Sequence, residues 1–495
     1  MITVNHRKHE ARTFLPSSSA CRANGVAMQA TSLLQSRLSI VLLSVFIVLQ
    51  LFLIFGNRDT LLPKWRSHLS TSTQQTEYSN RIFDDTYNDI ETDAEPTSYP
   101  SQPAHSPPVT QTWSFNSSRD ARNHALSPSE CSLAFPQLYH ELDRSVEYWQ
   151  SRNHKISPQD TNVSWTGKGG LRALIYENEL RILETRDTHH YKDRHDARRV
   201  IFTLSQIHRA LLGATARGGT IPNIEFAIAV NDHVELPDGE SDTHTAWTFD
   251  RRISSHKDER MWLMPDFNFW AWIPIHNAYQ DARRRAASHD SPIEQKIPQI
   301  VWRGNRHINP ELRGALLQTG KGQPWADLEG GWLDIEDFCR YLFAAYTEGH
   351  SWSGRMKYML SCDNVAVVHE LEFVTFYHHL LKAEGPEQNI VSVKRDWSDL
   401  EEKVQHYLGN PEETRRIIEN SVQMFRERYL TPAAEACYWR EMFRRDREVA
   451  YEPEPFDTKV LERQGKKVEV KRLKGIPYEL FIGTDGAEKP GKHDP

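Results

Sequence analysis

Cysteine, excess positive charge and long apolar runs are all scarce in this chain of 495 residues. The five cysteines form no C-x-x-C pair, so the sequence has no signature of a zinc site. With 60 basic and 67 acidic side chains the net charge is −7, which excludes a global positive field for holding nucleic acid. A mean hydropathy of −0.64 excludes a protein with many membrane spans. Glycine and proline occur 24 and 26 times, close to average usage, so the chain is neither collagen-like nor wholly disordered.

One apolar run, at residues 38–55, stands apart from this pattern. Its 18 residues carry no charge, and at about 1.5 Å per residue they suffice, at the short end, for a bilayer core of about 30 Å. The run is longer and begins later than the core of a typical signal peptide, which favours a retained anchor. Basic residues dominate the segment before it, so the N-terminus is expected in the cytosol. We therefore expect a single-pass type II protein of the Golgi or another secretory-pathway membrane.

Composition divides the flanking sequence further. Residues 1–37 are expected to form a cytosolic tail, and residues 450–495 a charged C-terminal tail. Residues 56–130 are rich in Ser, Thr, Pro and acidic residues and predict a disordered stem, because such a segment buries too little apolar area to fold. Glycosylation motifs at Asn116 and Asn162 fit lumenal exposure. Four cysteines follow the apolar run, an even number that allows two disulfide bonds in an oxidising compartment: Cys131, Cys339, Cys362 and Cys437.

Between residues 131 and 449, short β-rich runs alternate with helical periodicity. The predicted elements include a hairpin turning near Asn178, a helix over 194–212, strands over 224–230 and 297–302, and a helix over 372–382. This alternation predicts an α/β protein with parallel sheets covered by helices. We expect two Rossmann-type lobes, 131–290 and 291–449, with a cleft between them.

Two segments that follow predicted strands have the residues of a phosphate site. In open α/β sheets, ligands bind at the carboxyl ends of strands. Residues 346–357 bring small hydroxyl residues and glycines to a predicted helix N-terminus, where Arg355 and Lys357 could hold a diphosphate. Arg303, Gly304 and Arg306 follow the strand at 297–302, with Arg313 downstream. A plain strand-to-helix turn and a solvated basic turn are the corresponding structural alternatives.

Other positions could act on a substrate. Asp232 ends a very apolar strand, where a carboxylate can serve as a general base, although aspartates that only cap a strand are common. Phe269 and Trp270 lie in an aromatic segment that could stack on a sugar or pack into the core. The acidic pairs at 327–329 and 334–336 follow no strong strand and are interpreted as surface acids, so no metal site is indicated.

The segment around Ser351 also permits a different enzyme class. Residues 349–353 are one residue away from the G-x-S-x-G nucleophile elbow of α/β-hydrolases. A serine hydrolase would use Ser351 with an acid and a histidine further on, such as Asp396 and His406. His406 is predicted inside a helix, which makes this the second choice. A lumenal glycan-binding protein without catalytic activity is a third possibility.

Several blocks, in this order, resemble the capsule-associated glycosyltransferases of glycosyltransferase family 90. These relatives include lumenal protein O-glucosyltransferases and fungal capsule xylosyltransferases, and the resemblance covers residues 131–447. Its most specific part is EGHSWSGRMKYMLSC at 348–362 with VVH at 367–369. The blocks IVSVKRDWSDLEEKV, ACYW, WRGNR and FNFW agree as well.

The resemblance implies a two-lobed GT-B-like fold and an inverting transfer of xylose or glucose from a UDP-sugar to a hydroxyl of a glycan or glycoprotein. It places the catalytic base at Asp232 and an acceptor or sugar pocket at Phe269 and Trp270. It implies donor binding by a set of basic, small and hydroxyl residues: Arg303, Gly304, Arg306, Ser351, Ser353, Gly354 and Arg355. It also implies the disulfide pairs Cys131–Cys437 and Cys339–Cys362.

The resemblance has further implications and one departure. No cofactor is required beyond the UDP-sugar co-substrate, because arginines can neutralise the leaving diphosphate; a divalent metal is possible but not indicated. Glu348 stands where the glucosyltransferases carry a basic residue, so their donor and acceptor preference does not carry over. The expected partners are therefore a UDP-sugar, a glycan or glycoprotein acceptor and a membrane, with no nucleic acid.

Overall fold

The computed structural model describes residues 113–186, 194–239, 242–272, 277–463 and 466–483. All of them belong to one compact unit, Ser106–Pro495. The predicted cytosolic tail, the predicted anchor at 38–55 and the predicted stem up to residue 112 lie outside the described residues. None of the helices in the described ranges combines the length and the apolar character that crossing a bilayer requires.

The described residues form a mixed α/β structure with several sheets. The strands are β1 Gly170–Tyr176, β2 Glu179–Arg186, β3 Ile224–Ala229, β4 Trp247–Thr248, β5 Arg251–Arg252, β6 Trp262–Leu263, β7 Ala271–Trp272, β8 Asn277–Ala278, β9 Ile297–Val301, β10 Ala326–Asp327, β11 Tyr341–Tyr346, β12 Val365–His369, β13 Phe373–Val374, β14 Val391–Val393, β15 Phe456–Arg463, β16 Lys466–Leu473 and β17 Ile476–Pro477. The two main sheets have six and five strands.

The α-helices lie mostly between and after the strands. They are α1 Ser117–Asp120, α2 Pro128–Ala134, α3 His140–Ser151, α4 Arg194–Thr215, α5 Tyr279–Ala287, α6 Pro310–Thr319, α7 Met356–Met359, α8 Leu400–Gly409, α9 Pro411–Ser421, α10 Pro432–Val449 and α11 Tyr478–Gly483. Shorter helical segments are Asp258–Arg260, Phe267–Phe269, Ile293–Gln295, Ile335–Arg340, His378–Leu380 and the π-helical Val422–Tyr429.

The first main sheet is mixed rather than parallel as predicted. Its order is β17-β2-β1-β3-β4-β6, with β3, β4 and β6 parallel to one another and the other pairs antiparallel. The antiparallel part follows from the turn between β1 and β2, because a two-residue connection can only join antiparallel strands. Both turn residues, Glu177 and Asn178, have positive φ angles of 51° and 65°. The hairpin near Asn178 is therefore confirmed.

The second main sheet is parallel throughout, in the order β10-β9-β11-β12-β14. Every residue of β11 and β12 is buried, as expected for parallel strands covered on both faces. Helix α6 follows β9, and α8 and α9 follow β14. The strand predicted over 297–302 is confirmed as β9. The helix predicted over 372–382 is wrong: that segment contains β13 and the helical turn His378–Leu380.

The long helix α10 returns to the first half of the chain. It packs against α4 and α3, and its Asp446 accepts a hydrogen bond from Trp247 Nε1 at 3.1 Å. The ring of Trp247 stacks on Phe226 of β3 at a centroid distance of 3.9 Å. Cys437 of α10 is bonded to Cys131, and Cys339 to Cys362, so both expected disulfide pairs are confirmed.

Parts of the predicted stem and of the predicted C-terminal tail are folded. Residues 113–130, placed in the disordered stem, include α1 and the start of α2, with Leu126 fully buried. Trp113 and Phe115 pack on the core. The average composition of a mostly polar segment does not reveal a few apolar residues of this kind. At the other end, β17 pairs with β2, and α11 buries Tyr478 and Phe481. The folded part thus extends beyond residues 131 and 449 in both directions.

Candidate active site

Loops from both main sheets meet at the carboxyl ends of their strands. Asp232 follows β3, Asp250 follows β4 and Asp266 follows β6, whereas Ser351 and Lys357 lie beyond β11. The Ser351 hydroxyl donates a hydrogen bond to the backbone carbonyl of Asp232 and also lies 3.2 Å from Asp250 Oδ2. Lys357 Nζ lies 2.8 Å from both carboxylate oxygens of Asp266. This is the position at which open α/β sheets bind their ligands.

A cavity of about 300 Å³ lies at the same end of the parallel sheet. Its lining contains aromatic, aliphatic and glycine residues together with one asparagine and two arginines. These residues are Trp272, Arg303, Gly304, Asn305, Gly330, Gly331, Trp332, Leu333, Ile335, Phe338 and Arg355. Three predicted donor residues, Arg303, Gly304 and Arg355, are thus brought together from separate turns after β9 and β11. The lining combines apolar walls with a few charged groups, as small-molecule sites commonly do.

Arg355 carries positive charge into this cavity without an acidic partner. Burial, together with repulsion from Arg313, lowers the pKa of its guanidinium to about 10. Its Nε has no hydrogen-bond partner among the described residues, and no described acid forms an ion pair with it. Its Cζ lies 5.8 Å from the ring centre of Phe338. An anion bound in the cavity would restore the charge balance that the protein itself leaves open.

Arg313 supports the same region from α6. Its Nε donates to the Glu348 carbonyl at 3.1 Å and its Nη1 to the Asn305 carbonyl at 2.8 Å. It thereby ties the turn after β9 to the loop after β11. Burial lowers its pKa, and no acid of the described residues forms an ion pair with it. The sequence identified Arg313 only as a downstream arginine, and like Arg355 it forms no ion pair with a described acid.

The other two predicted arginines differ in their surroundings. Arg303 forms a 2.7 Å ion pair with Asp327 and donates to backbone carbonyls of Trp302, Asp327 and Gly331. Most of its hydrogen-bonding capacity therefore holds the loop at the rim of the cavity. A side chain at Gly330 would collide with this guanidinium. Arg306 is exposed and does not line the cavity.

The loop after β11 is held by tight packing rather than by a long helix. The expected helix has only four residues, Met356–Met359, so its dipole contributes little at its N-terminus. The Ser353 N–H donates to the Tyr346 hydroxyl at 2.8 Å. A side chain at Gly354 would collide with Asn268, which explains the glycine there. Lys357 also donates to the Gly354 carbonyl at 3.0 Å, so it anchors this loop.

Asp232 is the more accessible of the two acids near Ser351. Its side chain is 48% exposed, and Arg199 Nη2 lies 2.6 Å from its Oδ1. Arg199 also donates to the Val230 carbonyl at 2.9 Å, which fixes the guanidinium at the end of β3. One carboxylate oxygen is therefore oriented by an arginine while the carboxylate stays open to solvent. A general base needs such access, because it must meet an incoming hydroxyl group.

Asp250 was missed by sequence reasoning. It is only 4% exposed, and burial raises its pKa well above the usual value. The acids Asp232, Asp258 and Glu348 raise the pKa further, whereas Ser351 lowers it. The available signal resembled that for Asp232, an acid directly after a β-prone segment, here TAWTF at 245–249. The strand before it has only two residues, too few for a periodic pattern.

The predicted aromatic pocket residues do not line the cavity. Phe269 is 1% exposed and packs against Tyr279 and Phe376, so its ring is not available for stacking on a sugar. Trp270 is 36% exposed, and the Arg209 guanidinium lies 4.8 Å from its ring centre. Trp272, two residues further on, lines the cavity instead.

The residues of a serine hydrolase are not brought together. Among its described contacts, the Ser351 hydroxyl has only the oxygen partners of Asp232 and Asp250. Asp396 accepts from the Ser398 N–H at 3.0 Å, and His406, on α8, pairs with Glu413 at 2.9 Å. The geometry therefore gives the hydrolase alternative no support.

The remaining predicted positions lie elsewhere. No group of three or more His, Cys, Asp or Glu side chains in the described ranges could hold a metal ion. Asp327 and Glu336, from the two acidic pairs, form ion pairs with Arg303 and Arg285. Of the glycosylation motifs, Asn116 is exposed and caps α1, while the half-buried Asn162 accepts a hydrogen bond from the Ser164 N–H.

Comparison with known proteins gives one match. The family described as glycosyl transferase family 90 has a sequence model that matches residues 132–454, well over half of the chain. This range contains every residue of the cavity and of the Asp232, Asp250 and Ser351 cluster. No curated protein matches the chain.

Proposed function

The chain belongs to glycosyl transferase family 90 and is a glycosyltransferase, and from this premise we propose that it is an inverting enzyme that uses a UDP-sugar. The proposed donor sugar is xylose or glucose, and the acceptor is a hydroxyl group of a glycan or glycoprotein. We propose that the two main sheets are the lobes of a GT-B-type fold. Support comes from the parallel second sheet and from the loops of both sheets that meet at Ser351.

The observation that carries the donor assignment is that half-buried Arg355 and buried Arg313 lie at one site and form no ion pair with an acid of the described residues. Arg355 lines the cavity and Arg313 lies close enough to lower its pKa. In the proposed complex the diphosphate of a UDP-sugar supplies the missing negative charge, and Arg355 binds it with its forked guanidinium. Arg303 keeps the loop at 327–331 in place at the rim.

In the proposed reaction Asp232 acts as the general base. The acceptor hydroxyl gives its proton to the Asp232 carboxylate while its oxygen bonds to the anomeric carbon from the face opposite the diphosphate. The bond from that carbon to the diphosphate oxygen breaks, so UDP leaves and the configuration inverts. Arg355 and Arg313 stabilise the charge that develops on the departing diphosphate. The exposure of Asp232 and its hydrogen bond from Arg199 support this role.

The cellular setting belongs to the same proposal. We infer that the enzyme works in the lumen of the Golgi or another secretory compartment, anchored by residues 38–55. Two disulfide bonds support an oxidising compartment, because such bonds are rare in the cytosol. The exposed Asn116 motif agrees with it.

UDP binding to the full chain tests the donor assignment. We expect Arg355→Ala to weaken UDP binding measured by calorimetry at least about tenfold, because a charge-assisted hydrogen bond contributes about 1.5–3 kcal/mol. Arg306→Ala is the matched control, an exposed arginine outside the cavity, and should bind UDP like the parent. Equal effects of both substitutions, or no UDP binding by the parent, would contradict the assignment.

Transfer of the sugar from each of a panel of UDP-sugars tests the reaction. Asp232→Asn should lower kcat about 10²–10⁴-fold, as loss of a general base does, while UDP affinity stays unchanged. Nuclear magnetic resonance of the product should show an inverted anomeric configuration. Transfer that survives in Asp232→Asn would refute the role of Asp232, and glycan binding without any transfer would identify a non-catalytic protein.

A further inference from the structure

We propose that Asp250 is a neutral, protonated acid that positions the base Asp232 through the hydroxyl of Ser351. The inference rests on the proposed function, because it assigns a positioning residue to the same site. Asp250 is not among the residues that line the cavity. It acts by holding the loops after β3, β4 and β11 in place.

The argument begins with a count of hydrogens at Ser351. A serine hydroxyl has one hydrogen to donate and lone pairs that accept. The backbone carbonyl of Asp232 can only accept, so this contact uses the Ser351 hydrogen. The second contact joins Ser351 Oγ to Asp250 Oδ2 at 3.2 Å. Because the contact with Asp232 already uses the Ser351 hydrogen, we assign the proton of this second contact to the Asp250 carboxyl group.

The charges around Asp250 agree with this count. The acids that face it are Asp232, Asp258 and Glu348, and each has its own arginine partner: Arg199, Arg252 and Arg395, respectively. Tyr346 also faces it, and its pKa is raised in part by Asp250. No described cation forms an ion pair with Asp250, and its Oδ1 has no hydrogen-bond partner among the described residues. A negative charge there would be buried without compensation.

The resulting chain of hydrogen bonds connects three loops. The Asp250 carboxyl donates to Ser351, and Ser351 donates to the carbonyl of Asp232, so the loops after β4, β11 and β3 are joined. Ser351 lies four residues before Arg355. The chain therefore sets the position of the proposed base relative to the proposed diphosphate site. Such a link needs no contact with either substrate.

Ionisation of Asp250 would break this link. Its proton would be lost as the pH rises, and the new charge would repel the lone pairs of Ser351 and the carboxylate of Asp232. We therefore expect kcat of the parent enzyme to fall on the alkaline side. The side-chain amide introduced by Asp250→Asn donates a hydrogen bond without titrating, so this variant should lack the alkaline limb.

Two substitutions at one position provide the decisive comparison, made in the full chain. Asp250→Ala should lower kcat about 10²-fold by misplacing the base, with UDP affinity unchanged. Asp250→Asn should recover kcat to within about threefold of the parent, because a neutral donor to Ser351 is kept. Ser351→Ala should match Asp250→Ala, and the double variant should be no worse than either. If Asp250→Asn lowers kcat as severely as Asp232→Asn, Asp250 works as a charged group and the proposal is wrong.

Infrared spectroscopy tests protonation without any activity. At pH 7 the parent should show the carbonyl stretch of a protonated carboxylic acid that disappears in Asp250→Asn, and Asp446→Asn serves as a reference for a second buried acid. This readout remains valid if Asp250→Ala fails to fold, or if the enzyme transfers no sugar. An identical spectrum in parent and Asp250→Asn would overturn the proposal while leaving the proposed function untouched.

Discussion

Glu141, Asp250 and Asp446 are three buried acids that differ in their arginine partners. Burial alone raises the pKa of Glu141, but Arg144 and Arg251 bring it below the usual value. Asp250 and Asp446 have no arginine ion pair among the described residues, and burial raises the pKa of both. Pairing with two arginines thus separates Glu141 from the other two acids, although one arginine does not suffice at Glu435, whose pKa burial raises to about 7.

Asp446 provides a test of this distinction by pH. Burial raises its pKa to about 7, so between pH 4 and pH 7 the folded protein binds a proton that the unfolded chain has lost. The contribution of Asp446 to stability therefore falls as the pH rises through this range. Asp446→Asn should stabilise the protein, and by roughly 2 kcal/mol more at pH 8 than at pH 5.

Urea unfolding of parent and variant at both pH values measures this difference. In Asp446→Asn the new amide oxygen can still accept the hydrogen bond from Trp247 Nε1, so the substitution keeps that contact. Glu141→Gln is the contrasting control: it removes an acid paired with two arginines and should destabilise. An equal gain from Asp446→Asn at pH 5 and pH 8 would contradict the assignment.

Residue types at the site could be predicted from the sequence, but their partners could not. Arg303, Arg306 and Arg355 all follow strands, yet of these three only Arg355 lies in the cavity without an ion pair to a described acid, because Arg303 pairs with Asp327 and Arg306 faces solvent. Lys357 was expected near a phosphate, and it pairs with Asp266 from the other main sheet. Such partners come from distant parts of the chain, which local patterns do not encode.

At the scale of elements, the β1–β2 turn illustrates strong local coding. Asn178 tolerates its positive φ, and its side chain accepts from the Ile221 N–H at 2.7 Å and donates to the Gly219 carbonyl at 2.9 Å. Asn178→Ala should cost about 2 kcal/mol, from backbone strain together with the loss of these two hydrogen bonds and of a third to the Thr215 hydroxyl. The free energy of unfolding in urea is the measurement.

The neighbouring position is the control for that turn. Glu177 also has a positive φ and is exposed, and Asn adopts this conformation more easily than Glu. Glu177→Asn should therefore leave stability unchanged or raise it by about 0.5 kcal/mol. A loss from Glu177→Asn as large as that from Asn178→Ala would show that the turn type was misassigned.

Elements with long apolar runs were predictable, and those defined by distant contacts were not. β3, β11 and β12 are fully buried and read directly as strands. The segment at 372–382 has helical periodicity, but β13 pairs with β5, and the Glu348 carboxylate accepts the N–H groups of Glu372 and Phe373. These tertiary hydrogen bonds outweigh a helical preference that is only tenths of a kcal/mol per residue.

At the scale of the whole molecule, the fold extends beyond the range that matches the family. The match ends at residue 454, whereas β17 covers the edge of β2, and the Tyr478 hydroxyl lies 2.8 Å from Ser205 on α4. A chain ending at Pro455 should melt at least about 5 °C lower, because it exposes a strand edge and the surface under two aromatic side chains.

UDP affinity separates this effect from damage to the site. The cavity is built by residues between Trp272 and Arg355, so the shortened chain should bind UDP as tightly as the parent. Tyr478→Ala combined with Phe481→Ala in the full chain should lower the melting temperature in the same direction. An unchanged melting temperature after truncation would show that β17 and α11 add nothing to stability.

The bond between Cys131 and Cys437 spans 306 positions, and this has a consequence for biosynthesis. At a synthesis rate of about 5–20 residues per second, the Cys131 thiol waits about 15–60 s before its partner has been made. Cys339 and Cys362, only 23 positions apart, can pair within about 1–5 s of each other. The Cys339–Cys362 bond can therefore form before the Cys131–Cys437 bond, so the cysteine that is synthesised first is the last to find its partner.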